Sequence, residues 1–202
     1  VVIFPDTNAV CDEFWPGGEV ADPCAALPTL ILSEGAKLDA PGNPSIARGG
    51  SWVGVFKMEG GELNVGGRLD IGLRGDGVMY MQGGVATIAG NIRMSTDDRH
   101  TPTSFLNIDG GSLSVGGSFN VGAEAGVADV NMTDGFVQVA GNIDVADSGG
   151  TGHMQLDGGT IEAGGLRFGT GDGSVDFNSK GILKVADSDS SVRYEIAQYI
   201  NN

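Results

Sequence analysis

Apolar residues along this chain alternate with polar ones at a spacing of two, in runs of three to six residues. In residues 106–121, Leu106 and Ile108 alternate, then Leu113 and Val115, then Phe119 and Val121. Gly110-Gly111, Gly116-Gly117 and Gly122 punctuate these runs. A period of two is the signature of strands with one buried face, and helices are excluded across this region. Each unit therefore predicts three short strands joined by three corners.

The unit recurs. MEGGELNVGGRLDIG, MQGGVATIAGNIRMS, IDGGSLSVGGSFNVG, MTDGFVQVAGNIDVA and LDGGTIEAGGLRFG open at Met58, Met81, Ile108, Met132 and Leu156, spaced 23, 27, 24 and 24 residues apart. A weaker copy surrounds Phe177, and a degenerate one lies between Leu30 and Ala40. A constant period of this size predicts stacked repeats. The simplest solution is an all-β, three-sided parallel β-solenoid of about six coils, with rungs about 4.8 Å apart. An antiparallel sandwich or barrel is disfavoured, because a meander does not need near-identical units at one period. The columns Leu63, Ala86, Leu113, Val137, Ile161 and Val65, Ile88, Val115, Val139, Ala163 point inward, and the methionines read as core filling. One outward column runs Asp70, Arg93, Asn120, Asp144, Arg167. It places opposite charges one rung apart at Asp70–Arg93 and Asp144–Arg167, in exposed pairs that favour the correct register.

The chain divides into three parts. Residues 1–44 hold six of the seven prolines and both cysteines, and are expected to form an N-terminal cap leading into an irregular first coil. Residues 45–186 are the solenoid repeats. Residues 187–202 are expected to form a capping helix, with Val192, Ile196 and Ile200 on one face and Asp189 or Ser190 as N-cap. A disulfide between Cys11 and Cys24 is expected over free thiols or metal ligands. It implies an oxidising compartment, and the numbering is expected to begin at a mature N-terminus. The opening run Val1, Val2, Ile3, Phe4 is a candidate self-association strand that pairs either with a neighbouring subunit or, the preferred reading, with its own first rung.

Composition sharpens this picture. Glycine supplies 36 of 202 residues, against a usual share of about 7%. Its placement at corners converts a mark of flexibility into one of tight turns. The net charge is −15, which argues against a nucleic-acid surface. No apolar run is long enough to insert in a membrane as a helix.

Candidate chemistry is sparse. The longest interval holds an inserted loop, Ser95 to Ser104, carrying Asp97, Asp98, Arg99 and His100, a possible ligand site. Asp172, Asp187 and Asp189 in Gly- and Ser-rich turns could supply oxygen ligands to Ca²⁺, without matching an EF-hand. Glu59, Asp109 and Asp157 share one column two rungs apart, with Gln82 and Thr133 between them. They read as a solvated ladder before a sugar-hydrolysing pair. No nucleophile motif is present, so no catalytic residues are assigned. A regular Thr ladder for ice binding is also missing: the column Asn64, Thr87, Ser114, Gln138, Glu162 is mixed.

Units such as IDGGSLSVGGSFNVG resemble the Gly-rich repeats of secreted bacterial β-helix proteins, both autotransporter-type passenger domains and exported matrix proteins with a C-terminal PEP-type sorting signal. In the second group a segment like GILKVADSDSSVRYEIAQYI closes the repeats. The resemblance covers about residues 50–200. It implies a secreted, non-enzymatic structural protein of the cell surface or extracellular matrix that self-associates into a filament or layer. The alternative is a carbohydrate-binding module or a small polysaccharide-active β-helix enzyme.

Overall fold

A computed structural model describes residues 2–3, 8–10, 29–49, 53–97, 100–178 and 180–186. Cys11, Cys24, Val1, Phe4, Asp98, Arg99, Asp187, Asp189 and the expected C-terminal helix lie outside the described residues. Of Val2–Ile3 and Asn8–Val10 the backbone alone is described.

The chain forms a parallel β-solenoid of about six turns. Every strand pairs in parallel with its counterpart one coil away. The first wall stacks Val2–Ile3, Thr29–Leu32, Val53–Met58, Asp76–Met81, Thr103–Ile108, Val127–Met132, Thr151–Leu156 and Asp172–Phe177. The second begins with Asn8–Val10 and Lys37–Ala40 and ends with Ile182–Val185. The third stacks Ser45–Ile46, Leu69–Ile71, Ile92–Met94 and Phe119–Val121. The long strands Phe136–Val145 and Thr160–Phe168 run through the second corner, so the second and third walls merge into one sheet there. The six coils begin at Thr29, Val53, Asp76, Thr103, Val127 and Thr151 and are numbered one to six below.

Burial alternates as the period-two pattern requires. Met58, Met79, Met81, Leu106, Leu113, Phe119 and Ile143 are among the fully buried residues of one continuous core. Leu30, Leu32, Leu38 and Ile46 of coil one are already in that core. A boundary at residue 44 therefore falls inside coil one, just before its third-wall strand. Val2–Ile3 pairs with this chain's own first wall, Val2 opposite Ile31 and Ile3 opposite Leu32.

The corners show a regularity of two coils, not one. At the second corner, coils one, three and five carry Asn43, Asn91 and Asn142, while coils two and four carry Gly67 and Gly117 just before the equivalent position and coil six carries Gly165 opposite Asn142 itself. The Asn43 Oδ1 accepts from the Arg68 backbone N–H at 2.8 Å, and the Asn91 Oδ1 accepts from the Ser118 N–H at 2.9 Å. Each side chain thus reaches up one rung. A Cβ at Gly117 would lie 2.0 Å from the Asn91 Oδ1, and one at Gly67 2.4 Å from the Asn43 Oδ1. At the third corner the left-handed residue is Ala47, Ser95 and Ala146 in odd coils, but Gly72 and Gly122 in coils two and four. At the first corner Glu59, Asp109 and Asp157 in even coils alternate with Gln82, Thr133 and Asn178. The Thr133 hydroxyl donates to Asp109 at 2.8 Å and the Asn178 amide donates to Asp157 at 2.8 Å. Carboxylates stacked on every rung would repel at about 4.8 Å. Alternation with neutral donors removes that repulsion and adds a hydrogen bond.

One expectation is corrected. Asp70 is not an exposed partner of Arg93. Its side chain is 1% exposed, covered by two arginines on the third wall.

Candidate functional site

The inserted loop leaves coil three at the third corner. Ile92–Met94 ends at Ser95, whose left-handed backbone (φ 56°) turns the chain outward. Two buried hydroxyls hold the loop base. The Ser95 hydroxyl lies 2.6 Å from the Val127 carbonyl and 2.8 Å from Ser104 Oγ, and Ser104 donates to the Ile71 carbonyl at 2.7 Å. These contacts tie the loop to the rungs on both sides. Thr96 is buried, and its hydroxyl has no hydrogen-bond partner among the described residues.

Asp97 is the centre of this corner. Its side chain is 9% exposed, with Oδ2 at 3.1 Å from the Nδ1 of half-exposed His100 and at 3.5 Å from the Arg74 Nε. The loop thus brings together Asp97 and His100, as the sequence suggested. It also recruits Arg74, which comes from the preceding coil and was not singled out from sequence. The carboxylate thus bridges an imidazole and a guanidinium from two coils. The nearby Ser95 and Ser104 hydroxyls bond backbone carbonyls and staple the base of the loop.

A second histidine sits on the first wall. The His153 Nδ1 is 3.0 Å from the Ser174 Oγ, which donates to Asp176 at 3.0 Å. With the serine hydrogen directed to the aspartate, the tautomer that completes the chain has the imidazole Nδ1–H donating to the serine. In a hydrolytic triad the histidine stands in the middle; here the serine does, so this chain of bonds is a wall ladder. Asp172 is exposed at the start of the last first-wall strand, in register with Thr151. Among the described residues no group of three or more His, Cys, Asp or Glu side chains forms a metal cage.

An open groove runs across the second wall near coils one to three, lined by Lys37, Glu62, Val85 and Thr87. Lys37 lies 3.4 Å from Glu62 and 3.5 Å from Asp39. The Asn64 amide and Lys37 hold the Glu62 carboxyl below the usual carboxylate range, and Glu62 with Asp39 raises the Lys37 ammonium. Both side chains are exposed, so these are solvated pairs of small energetic weight.

The walls carry polar ladders in the stack direction. Asn64 donates to Asp39 at 2.8 Å, Asn131 to Asn107 at 3.2 Å and Lys184 to Glu162 at 2.8 Å. Among the described residues no helix is long and apolar enough to cross a membrane. No family model, curated protein or solved structure matches the chain.

Proposed function

We propose that this is a secreted, non-enzymatic structural protein of the cell surface or extracellular matrix, and that it self-associates into a filament or layer. The observation that carries this reading is the use made of the polar side chains. Asp39–Asn64, Asn107–Asn131, Asp109–Thr133 and Asp157–Asn178 each bond one rung to the next. Side chains that in an enzyme would face a substrate here hold a rod together along its axis. The same proposal includes a Cys11–Cys24 disulfide at the N-terminal end and a helix over residues 190–202 at the other, because the end of a solenoid is a row of open strand edges.

Electron microscopy and analytical ultracentrifugation across a concentration series test it. Filaments, sheets or concentration-dependent oligomers are the expected result. A chain that stays monomeric at millimolar concentration overturns it.

A polysaccharide-binding role is the competing reading. It is favoured by two aromatic rings on one wall, Tyr80 at 39% and Phe105 at 36% exposure. Retention on immobilised glycans, with Asp97→Ala and His100→Ala variants beside the parent, separates the two readings.

A further inference from the structure

The first wall changes character halfway along the rod. One outward column reads Val55, Val78, Phe105 and then Asp129, His153, Ser174. The neighbouring one reads Ile31, Lys57, Tyr80 and then Asn107, Asn131, Gln155. Val53 is 54% exposed, and with Tyr80, Phe105 and the half-buried Val55 and Val78 it makes an apolar patch across coils two to four. Ile31 extends this patch into coil one. The one cation within it, Lys57, is held by Glu59 at 2.7 Å. Within the coils the charge distribution follows the same division, while residues 1–28 ahead of them add five acids and no bases. Residues 29–102 carry eight acids and seven bases, and residues 103–186 carry ten acids and three bases.

We infer that a second copy of this chain docks on this apolar half of the first wall, with the two rods antiparallel. The inference rests on the self-association reading above and names its surface. A patch of apolar residues on one flat wall is the kind of surface that marks a partner site. The chain is acidic overall, so two copies repel unless they meet where charge is nearly balanced, and the patch lies in that half. Two-fold pairing of a wall with itself has two forms. A two-fold axis along the rod sets the acidic halves side by side. An axis along the strands, centred on the patch, sends the acidic ends in opposite directions and leaves the last two rungs of each wall projecting beyond its partner. Electrostatics selects the second. Six residues by four rungs give a footprint of about 20 Å by 20 Å. That is the small end of specific interfaces, so binding in the micromolar to millimolar range is expected.

The test is sedimentation equilibrium with small-angle scattering on the full chain. The parent should form a dimer about a quarter longer than the monomer, because centring the patch on the two-fold axis overlaps six of the eight first-wall rungs. Phe105→Glu and Tyr80→Glu should each weaken dimerisation roughly tenfold or more, with unchanged melting temperatures. Asp157→Asn should change it less than about twofold, because that residue lies two rungs beyond the patch, past the end of the partner's wall. Oligomers that survive both glutamate variants overturn this surface but not self-association. A strictly monomeric parent overturns both. Tightening by Asp157→Asn overturns the antiparallel arrangement. A melting temperature that falls sharply in the glutamate variants shows the patch to be covered by this chain's own residues. Loss of glycan retention with no change in association assigns the patch to polysaccharide.

Discussion

Asp70 and Asp144 occupy the same outward column of the third wall, three rungs apart, and each stands opposite an arginine of the next coil. Their environments differ. Asp70 accepts from the Arg93 Nε at 2.8 Å and from the Arg68 Nε at 3.0 Å, and the pair of guanidinium groups buries it. Asp144 has Asn142, not an arginine, two residues earlier on its own strand. With the Asn142 amide turned to present its oxygen, that oxygen stands 3.1 Å from the Arg167 guanidinium, which draws the cation toward itself. Burial then raises the Asp144 carboxyl, against the pull of Arg167 and with a push from Asp147. Register brings opposite charges within reach. A second donor, or a competing acceptor, decides whether they pair.

The contrast makes the two carboxylates respond oppositely to the same substitution. Asp70→Asn leaves two arginines without their shared anion and should cost about 2–4 kcal/mol of unfolding free energy, read by urea denaturation. An unchanged midpoint would show the arginines to be independently solvated. Corner glycines supply the control, since the two-coil rule runs through both halves of the rod. Gly67→Ala in the first half and Gly117→Ala in the second should each cost about 1–3 kcal/mol by crowding an asparagine below. Adding Asn91→Ala to Gly117→Ala should restore part of the loss. Unequal costs at the two glycines would confine the rule to one half.

Smaller effects sharpen the comparison further. Asp144→Asn should stabilise the fold by only a few tenths of a kcal/mol at neutral pH. The folded state disfavours the Asp144 carboxylate, so the penalty is present above its folded pKa. It fades as pH falls through that value toward the unfolded one, and the gain should disappear in acid. A gain that persists in acid would have another cause. The smallest expected signal is a shift of one titration curve. Asn142→Ala frees Arg167, and the Asp144 carboxyl should then titrate at lower pH by NMR.

Much of the fold was legible because the period is constant and the pattern local. The walls, the inward methionines and the Asp70–Arg93 register follow from lining up units. The two-coil rule was also written in the chain, as AGNI at 89–92 and 140–143 against VGG at 65–67 and 115–117. It escapes a comparison of successive units, which averages odd coils with even ones. The burial of Asp70 was hidden because an aspartate on an outward column reads as exposed until Arg68 and Arg93 fold over it. At the inserted loop, Asp97 and His100 are three residues apart and visibly adjacent. Arg74 is 23 residues before Asp97 and joins them only through stacking, so nothing local announces it.

The alternation at the corners gives this rod a parity. Duplicating one coil in place would set like against like: asparagine over asparagine at one edge, carboxylate over carboxylate at another. Duplicating two preserves each match. Such a chain should grow or shrink through recombination in paired steps of about 48 residues, and an engineer wishing to lengthen it should add coils in twos.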